Sequence, residues 1–425
     1  MSSICHIEAF VAGRWQVAAR LERRDAQRTD LWGWLEYEPP YTDEALGARD
    51  LRAVSVRYPV SYGLERCGSL PAFAVDLLPQ GEARRHVLAR LRRDGRETSD
   101  WDVLLAGARN PVGNLRVAEA VTPAEESRDG VTLGEIVERG DAFRAWAESQ
   151  QLPMTGSSDT GGASPKLLMT EDASGCLHAD GALPDERAFR HLLIKFPRGR
   201  TQQDAAVLAN EAPYLEVLRA LGLRCGAPLV HQAGTLVVPR FDRLRVDGAV
   251  VRLGMESAYS LMGVSEAGAR LSFEALLEQL AQHVDDPARD VLELILRDAA
   301  ALALGNPDNH GRNTSLLKHA DGRVELSPVY DFAPMCLDPD LIVRQTRWRT
   351  EPGDVDWDDV VRAVSERLPG LLPVDVLVPA LRSFGERLGA ASEIMRDVGV
   401  DRDLVTRVEP RIRATSAALC ALRAG

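Results

Sequence analysis

The chain has 425 residues, 45% hydrophobic and 27% charged, with a net charge of −12 at neutral pH. That length suits two or three domains with sizeable cores, and the acidic balance argues against a protein that holds nucleic acid through a concentrated basic face of its own. No apolar run approaches the roughly 20 residues needed to span a bilayer, and the N-terminus lacks a basic-then-apolar leader, so a cytoplasmic protein with no membrane partner is expected.

In chain order, "IEAFVAGRWQVAARL" predicts a hairpin around Ala12-Gly13, and "WLEYEPPYT" a strand stopped by Pro39-Pro40. "AFAVDLLPQGEARRHVLARLRR" passes Pro79 and Gly81 into a helix, and "NPVGNLRVAEAV" closes the region as a strand. The arginines of "EARRHVLARLRRDGR" read as a solvated helix face. Polar "TPAEESRDG" (Thr122–Gly130) marks a boundary. Strands follow: "PKLLMT" and "CLHAD" about the turn "EDASG", then "FRHLLIKFP", "PLVHQAGTLVVPRFDRL" and "VVRLG". Helices then dominate, in "LSFEALLEQLAQHV", "PARDVLELILRDAAALALG", "WDDVVRAVSERL" and "DVLVPALRSFGERLGAASEIM". The second of these has Asp286 as N-cap, Pro287 in its first turn and Gly305 after its last. A β-rich segment followed by a helix-rich one suggests two lobes with a cleft between them.

The six cysteines are scattered, with no CxxC pair, and read as reduced, partly buried core residues. Among 51 basic residues only Lys166, Lys195 and Lys318 are lysines. Where arginine has replaced lysine almost everywhere, a surviving lysine points to a need for a compact ammonium on a flexible stem.

Two of the three fall at suggestive places. "TGSSDTGGASPKLLM" (Thr155–Met169) is glycine-rich but is not a Walker loop: a motif starting at Gly156 needs lysine where the chain has Gly162, and a helix where it has a strand. A glycine-rich turn between strands, here Gly161, Gly162 and Ala163 leading to Lys166, is how protein kinases cover ATP phosphates with backbone N–H groups. An ordinary flexible hairpin is the plain alternative. Lys195 lies inside the apolar strand "FRHLLIKFP", where a lysine either snorkels to solvent or meets an anion; kinases put their phosphate-binding lysine on such a strand.

The stretch "LALGNPDNHGRNTSLL" then gives Asp308 and Asn313 the D-x-x-x-x-N spacing of a kinase catalytic loop, placed after a helix. The Asp would orient or deprotonate an attacking hydroxyl, and the Asn would ligate Mg²⁺. Downstream, "LSPVYDFAP" sets Asp331-Phe332 after a short strand, where a kinase carries a second metal-binding carboxylate. Each residue alone could be a loop cap or Asx-turn; the ordered series points to nucleotide-dependent phosphoryl transfer. His310 is left with three readings: it positions Asp308, touches the phosphates, or hydrogen-bonds the loop.

These residues carry a resemblance. "AFVAGRW", "FAVDLLPQGEARR" and "NPVGNLRV", then "GGASPKLL", "HLLIKFP", "VVPRFDRL", "GNPDNHGRN" and "SPVYDFAP", resemble the HipA family of serine/threonine kinases, the toxins of bacterial type II toxin–antitoxin modules. The resemblance implies an α+β, two-lobed protein-kinase-like fold related to the lipid kinases. It divides into an N-terminal α/β subdomain (1–121), a β-rich nucleotide lobe (131–255) and a helical catalytic lobe (256–425). It implies ATP and Mg²⁺ as cofactors, with Asp308 as catalytic base, Asn313 and Asp331 as metal ligands and Lys195 on the phosphates. Pro239, Arg240 and Phe241 would be the hinge that meets adenine, mainly through backbone atoms. The implied partners are a protein substrate such as an aminoacyl-tRNA synthetase, a helix-turn-helix antitoxin of HipB type, and operator DNA through the antitoxin complex.

Two departures from the family pattern stand out. Where the family's loop carries an autophosphorylated serine this chain has Asp159, preceded by Ser157 and Ser158, which become the candidate autophosphorylation sites. Glu211 is the candidate helical partner of Lys195, yet Pro213 fits a helix that begins near it better than a helix interior. The rival readings are a lipid or small-molecule kinase, a kinase-like scaffold that binds antitoxin and DNA without catalysis, and metal-dependent hydrolysis by Asp308, His310 and Asp331. "RQTRWRT" (Arg344–Thr350) is open to either a substrate-choosing or a structural role.

Overall fold

The computed structural model describes residues 2–24, 32–121, 130–138, 147, 164–266, 268–349 and 355–423. The chain forms two compact units: Met1–Gly199, Gln232–Glu266 and Leu316–Val324 make the first, and Arg200–His231, Ala267–Ser315 and Glu325–Gly425 the second. The polar boundary at Thr122–Gly130 lies outside the described residues apart from Gly130.

The first unit opens with an antiparallel sheet of β1 (Ile4–Val11), β2 (Arg14–Arg23), β3 (Gly33–Tyr37), β4 (Glu65–Cys67) and β5 (Leu115–Val117), ordered β4-β3-β2-β1-β5. Its first turn is the hairpin read from the sequence. Val11 pairs with Arg14, and both Ala12 (φ 51°) and Gly13 (φ 78°) sit in the left-handed region that a two-residue turn between twisted strands requires. Alternate residues Cys5, Ile7 and Ala9 point into a core shared with Leu21, Leu35, Trp101 and Leu104. The helix Gly81–Arg93 forms where expected, and a second, Asp100–Gly107, starts at a capping box between Ser99 and Asp102. All six cysteines are unpaired, and burial pushes the Cys67 thiol up to about 11.

Four strands of a five-stranded second sheet follow, β6 (Lys166–Asp172), β7 (Leu177–Ala179), β8 (Ala188–Lys195) and β9 (Thr235–Pro239), antiparallel and ordered β7-β6-β8-β9. Leu167, Met169, Leu192 and Ile194 fill one face as a small core. The third lysine belongs to the scaffold. Lys318 is 1% exposed; its Nζ donates to the carbonyl of Ala53 at 2.9 Å and to Glu256 at 3.3 Å. Glu256 also accepts from Ser55 Oγ (2.5 Å), the Val56 N–H (2.9 Å) and Ser260 Oγ (2.8 Å). A buried carboxylate needs a cation and hydrogen bonds to offset its lost hydration, and this one has both. Gly254 makes the fit possible, because a Cβ there would lie 2.8 Å from the Lys318 side chain.

The second unit is mainly helical. The helix Gln202–Ala220 corrects the reading of Pro213: it starts at a capping box of Thr201 and Asp204 and runs through the proline. Pro213 removes one backbone hydrogen bond. Burial of Tyr214, Leu215, Val217 and Leu218 just beyond it holds the helix together. The helix Pro287–Leu304 has the caps read from the sequence, with Asp286 accepting from the Arg289 N–H and Gly305 at φ 72°. The single helix expected from Asp375 onward is two, Val374–Gly389 and Ala391–Asp397. The last, Arg402–Ala421, has no counterpart in the sequence reading. It packs against Val374–Gly389 where Gly385 admits it, since a Cβ there would meet Leu419 at 2.8 Å.

The segment Pro239–Asp242 is tied down by charge. Arg240 holds Asp242 with two nitrogens, at 2.9 and 2.7 Å, and also bonds Asp180. Asp180 further accepts from Thr170 Oγ1 (3.0 Å) and faces His191 Nδ1 (3.2 Å). Asp242 accepts from Arg243 (2.7 Å) and from the Gly113 N–H (2.8 Å). Burial alone would raise both carboxyls; the Arg240 guanidinium outweighs it and holds each well below the usual carboxylate range.

Two outcomes follow. Lys318→Met should lower the unfolding free energy by about 3 kcal/mol in urea titration, because it strands a buried carboxylate. An equal loss in a Glu256→Gln background would show that the pair is not coupled. Because Asp180 and Asp242 have folded pKa values below the unfolded value of about 3.9, their contribution is complete above about pH 4 and is lost as pH falls toward the folded values. Asp180→Asn should therefore be less stable than the parent at about pH 6, and should lose less stability between about pH 4 and 3. Parallel pH curves for the two proteins would refute the assignment.

Candidate active site

The helix Pro287–Leu304 delivers the loop quoted above. The helix is amphipathic, yet three carboxylates lie on its buried side. Asp290 accepts from Arg224 (2.7 Å), Arg289 (2.9 Å) and the Leu326 N–H (2.9 Å). Glu293 accepts from the Arg224 N–H (3.0 Å) and from Arg297 (2.8 Å). Asp298 accepts from Arg344 (2.7 Å) and Trp348 Nε1 (2.8 Å). Gly305 then ends the helix in a conformation glycine tolerates best, and leaves room for Cys336, whose Sγ would stand 2.9 Å from a Cβ at 305.

Beyond Gly305 the chain turns on its own side chains. Asn306, buried, accepts the Asp308 N–H on Oδ1 at 3.1 Å. The Asn313 N–H reaches the His310 carbonyl at 2.9 Å, and Asn313 Nδ2 donates to the Asp308 carbonyl at 2.8 Å. Asn313 is thus held with its amide nitrogen on the loop carbonyl. His310 Nε2 lies 3.6 Å from Asp308 Oδ1, while His310 Nδ1 is buried with no hydrogen-bond partner among the described residues. The structure therefore brings Asp308, His310 and Asn313 together, all half-buried.

Asp331 sits on the segment after the strand Val324–Leu326 and has φ 53°. A non-glycine residue held there costs of order 1–3 kcal/mol, and such strain clusters at functional sites. Its neighbours fix it. Tyr330 OH donates to the Arg312 carbonyl (2.5 Å) and bonds Ser315 Oγ (2.6 Å), and Phe332 is buried against Tyr214 with ring centroids 6.2 Å apart. Asn313 Oδ1 and the Asp331 carboxylate are the oxygen donors a hard divalent cation takes. Among the described residues no three His, Cys, Asp or Glu side chains are arranged to hold a metal.

In the first unit, the β6–β8 register sets Lys166 directly opposite Lys195. Like charges facing across a ladder repel, and an anion between them removes the penalty. Lys166 is exposed and Lys195 buried. Gly161, Gly162, Ala163, Ser157, Ser158 and Asp159 lie outside the described residues. At the hinge candidate, Pro239 pairs with Leu192, the Arg240 N–H is taken by the His191 carbonyl at 3.0 Å, and Phe241 is half-buried. The Arg240 side chain is committed to its carboxylates.

Sequence reading passed over Asn309, which bonds the strand Thr346–Arg347, and Asp298, which holds Arg344 and Trp348. The only available signal for Asp298 was an acid inside an apolar helix run. Arg344 of "RQTRWRT" thereby has a structural contact.

Residues 158–387 match the family described as HipA-like C-terminal domain. A kinase candidate of Sinorhizobium fredii is 35% identical over 144 residues, 31% of this chain and 33% of the relative. Another, of Haemophilus influenzae, is 27% identical over 120 residues, 26% of this chain and 34% of the relative. The matches thus span about a third of the length of these curated relatives. Among solved structures, HipA of Shewanella oneidensis MR-1, in a complex with HipB and its operator DNA, superposes with a TM-score of 0.67 at 17% identity, over 97% of this chain and 96% of that one. That likeness establishes an α+β kinase-like fold. No helix among the described residues is long and apolar enough to cross a membrane. With the family match covering more than half of its length, the chain belongs to the HipA family.

Proposed function

We propose that the protein is an ATP-dependent serine/threonine protein kinase. The observation that carries the reading is the loop itself, in which Asn313 is hydrogen-bonded to the Asp308 carbonyl and a strained Asp331 follows on the segment pinned by Tyr330. Asp308 accepts or orients the proton of the attacking hydroxyl, and His310 Nε2 stands by its carboxylate. Asn313 and Asp331 would hold Mg²⁺, which when bound neutralises charge on the ATP phosphates. Lys166 and Lys195 would hold those phosphates, a role supported by their placement opposite each other. Gly161, Gly162 and Ala163 would supply backbone N–H groups, and Pro239–Phe241 would meet adenine. The committed N–H of Arg240 leaves that contact to the other backbone atoms of the segment.

Family membership supports the remaining assignments. The substrate is a protein hydroxyl on a translation component such as an aminoacyl-tRNA synthetase. A helix-turn-helix antitoxin of HipB type restrains the kinase, and operator DNA is met through that complex, as HipA of Shewanella oneidensis is found with HipB and DNA. Ser157 or Ser158 takes phosphate in a loop-based switch. Asp159 mimics phosphate only weakly, with one charge where phosphate carries about two.

Incubation with ATP and Mg²⁺ should add phosphate to the chain, mapped to Ser157 or Ser158 by mass spectrometry. Asp308→Ala should slow that gain by about a thousandfold. Equal phosphate gain in parent and variant would sink the role of Asp308. Nucleotide binding without transfer to any added protein would favour the scaffold.

A further inference from the structure

We propose that Asn309 is the positioning residue of the catalytic loop, fixing its neighbour Asp308 by clasping the strand Thr346–Arg347. The inference deepens the kinase reading and rests on it for the role of Asp308. Asn309 Nδ2 donates to the Thr346 carbonyl at 2.6 Å, and its Oδ1 accepts from the Gln345 N–H at 2.8 Å and the Thr346 N–H at 3.2 Å. Thr346 Oγ1 returns a bond to the Asn309 carbonyl at 2.7 Å. Both lone pairs of the side-chain oxygen are therefore used, and the amide cannot turn without breaking several bonds at once.

The clasped element is itself fixed. Thr346 is 3% exposed and lies opposite Leu271 in a short parallel ladder, with the Leu271 N–H on the Gln345 carbonyl at 3.0 Å. Two residues to either side, Arg344 and Trp348 both reach Asp298 on the helix that leads into the loop. Trp348 stacks on Phe273 with centroids 4.9 Å apart. Asn309 thus joins the loop at a second point to a segment already bolted to the same helix, closing a ring of contacts around Asp308. No shorter side chain reaches both backbone partners. Aspartate keeps the two accepted bonds but sets an acceptor against the Thr346 carbonyl. Displacement of a reacting group by about 1 Å can cost a hundredfold in rate.

The test uses the full chain with ATP and Mg²⁺, comparing the parent with Asn309→Ala, Asn309→Asp, Thr346→Val and Asp308→Ala. Phosphate incorporation gives kcat and KM for ATP, and hydrogen exchange reports the amides of residues 306–313. Asn309→Ala should lower kcat by about a hundredfold with KM changed less than about threefold. Asn309→Asp should recover part of the loss, and Thr346→Val should lose about tenfold or less. Exchange over 306–313 should quicken in Asn309→Ala while the helix Pro287–Leu304 stays protected. A rise in KM with kcat unchanged, or loop exchange equal to the parent, overturns the proposal. If Asp308→Ala turns over ATP like the parent, the kinase reading fails instead, and the exchange measurement alone decides whether Asn309 fixes the loop.

Discussion

A carboxylate taken out of water must find cations and N–H groups or destabilise the fold, and three such carboxylates on one helix organise the second unit. Asp290, Glu293 and Asp298 are spaced along Pro287–Leu304; the first two share Arg224, and the third draws a separate segment to the helix. Asp290 takes Arg224 and the Leu326 backbone, Glu293 takes the Arg224 backbone and Arg297, and Asp298 takes Arg344 and Trp348. The same helix ends at Gly305 and releases the loop of Asp308. The placement of that loop is therefore inherited: its start and the segment it leans on are both referred to one helix.

The first unit solves a similar problem with different ions. Lys318 and Glu256 gather the backbone of Ala53 and Val56 with the hydroxyls of Ser55 and Ser260. Arg240 gathers Asp180 and Asp242. Such buried pairs contribute little net stability over an apolar core, but breaking one is costly, so they specify which segments meet. The arginine fork suits the site with two carboxylates, and the single ammonium suits a site with one carboxylate and a carbonyl.

What could be read from the sequence was what is local. The Ala12-Gly13 hairpin and the caps Asp286, Pro287 and Gly305 rest on residues within a turn of each other, and they appear as expected. The motif series from Lys195 to Asp331 pointed to the family, and the match over residues 158–387 bears the family out. Lys318 was not: its partners Ala53 and Glu256 lie 265 and 62 residues away in the chain. Pro213 misled because a proline's local cost was weighed without the tertiary burial that outweighs it. Arg240 was legible as part of a motif, but its commitment to Asp180, 60 residues earlier, was not. The terminal helix Arg402–Ala421 escaped for a related reason, since its fit depends on the bare backbone at Gly385.

The scarcity of lysine has a practical side. Of the three, Lys318 is enclosed and already carries a carboxylate and a carbonyl, Lys195 is nearly enclosed, and Lys166 stands open beside it across the ladder. Reagents that seek primary amines, whether acylating probes, cross-linkers or acetyl-transferring enzymes, find one open lysine side chain on the described surface of this protein. That amine stands at the end of a strand of the second sheet, opposite Lys195. For most proteins of this length such labelling is spread over many lysines; here the described residues offer one exposed lysine side chain.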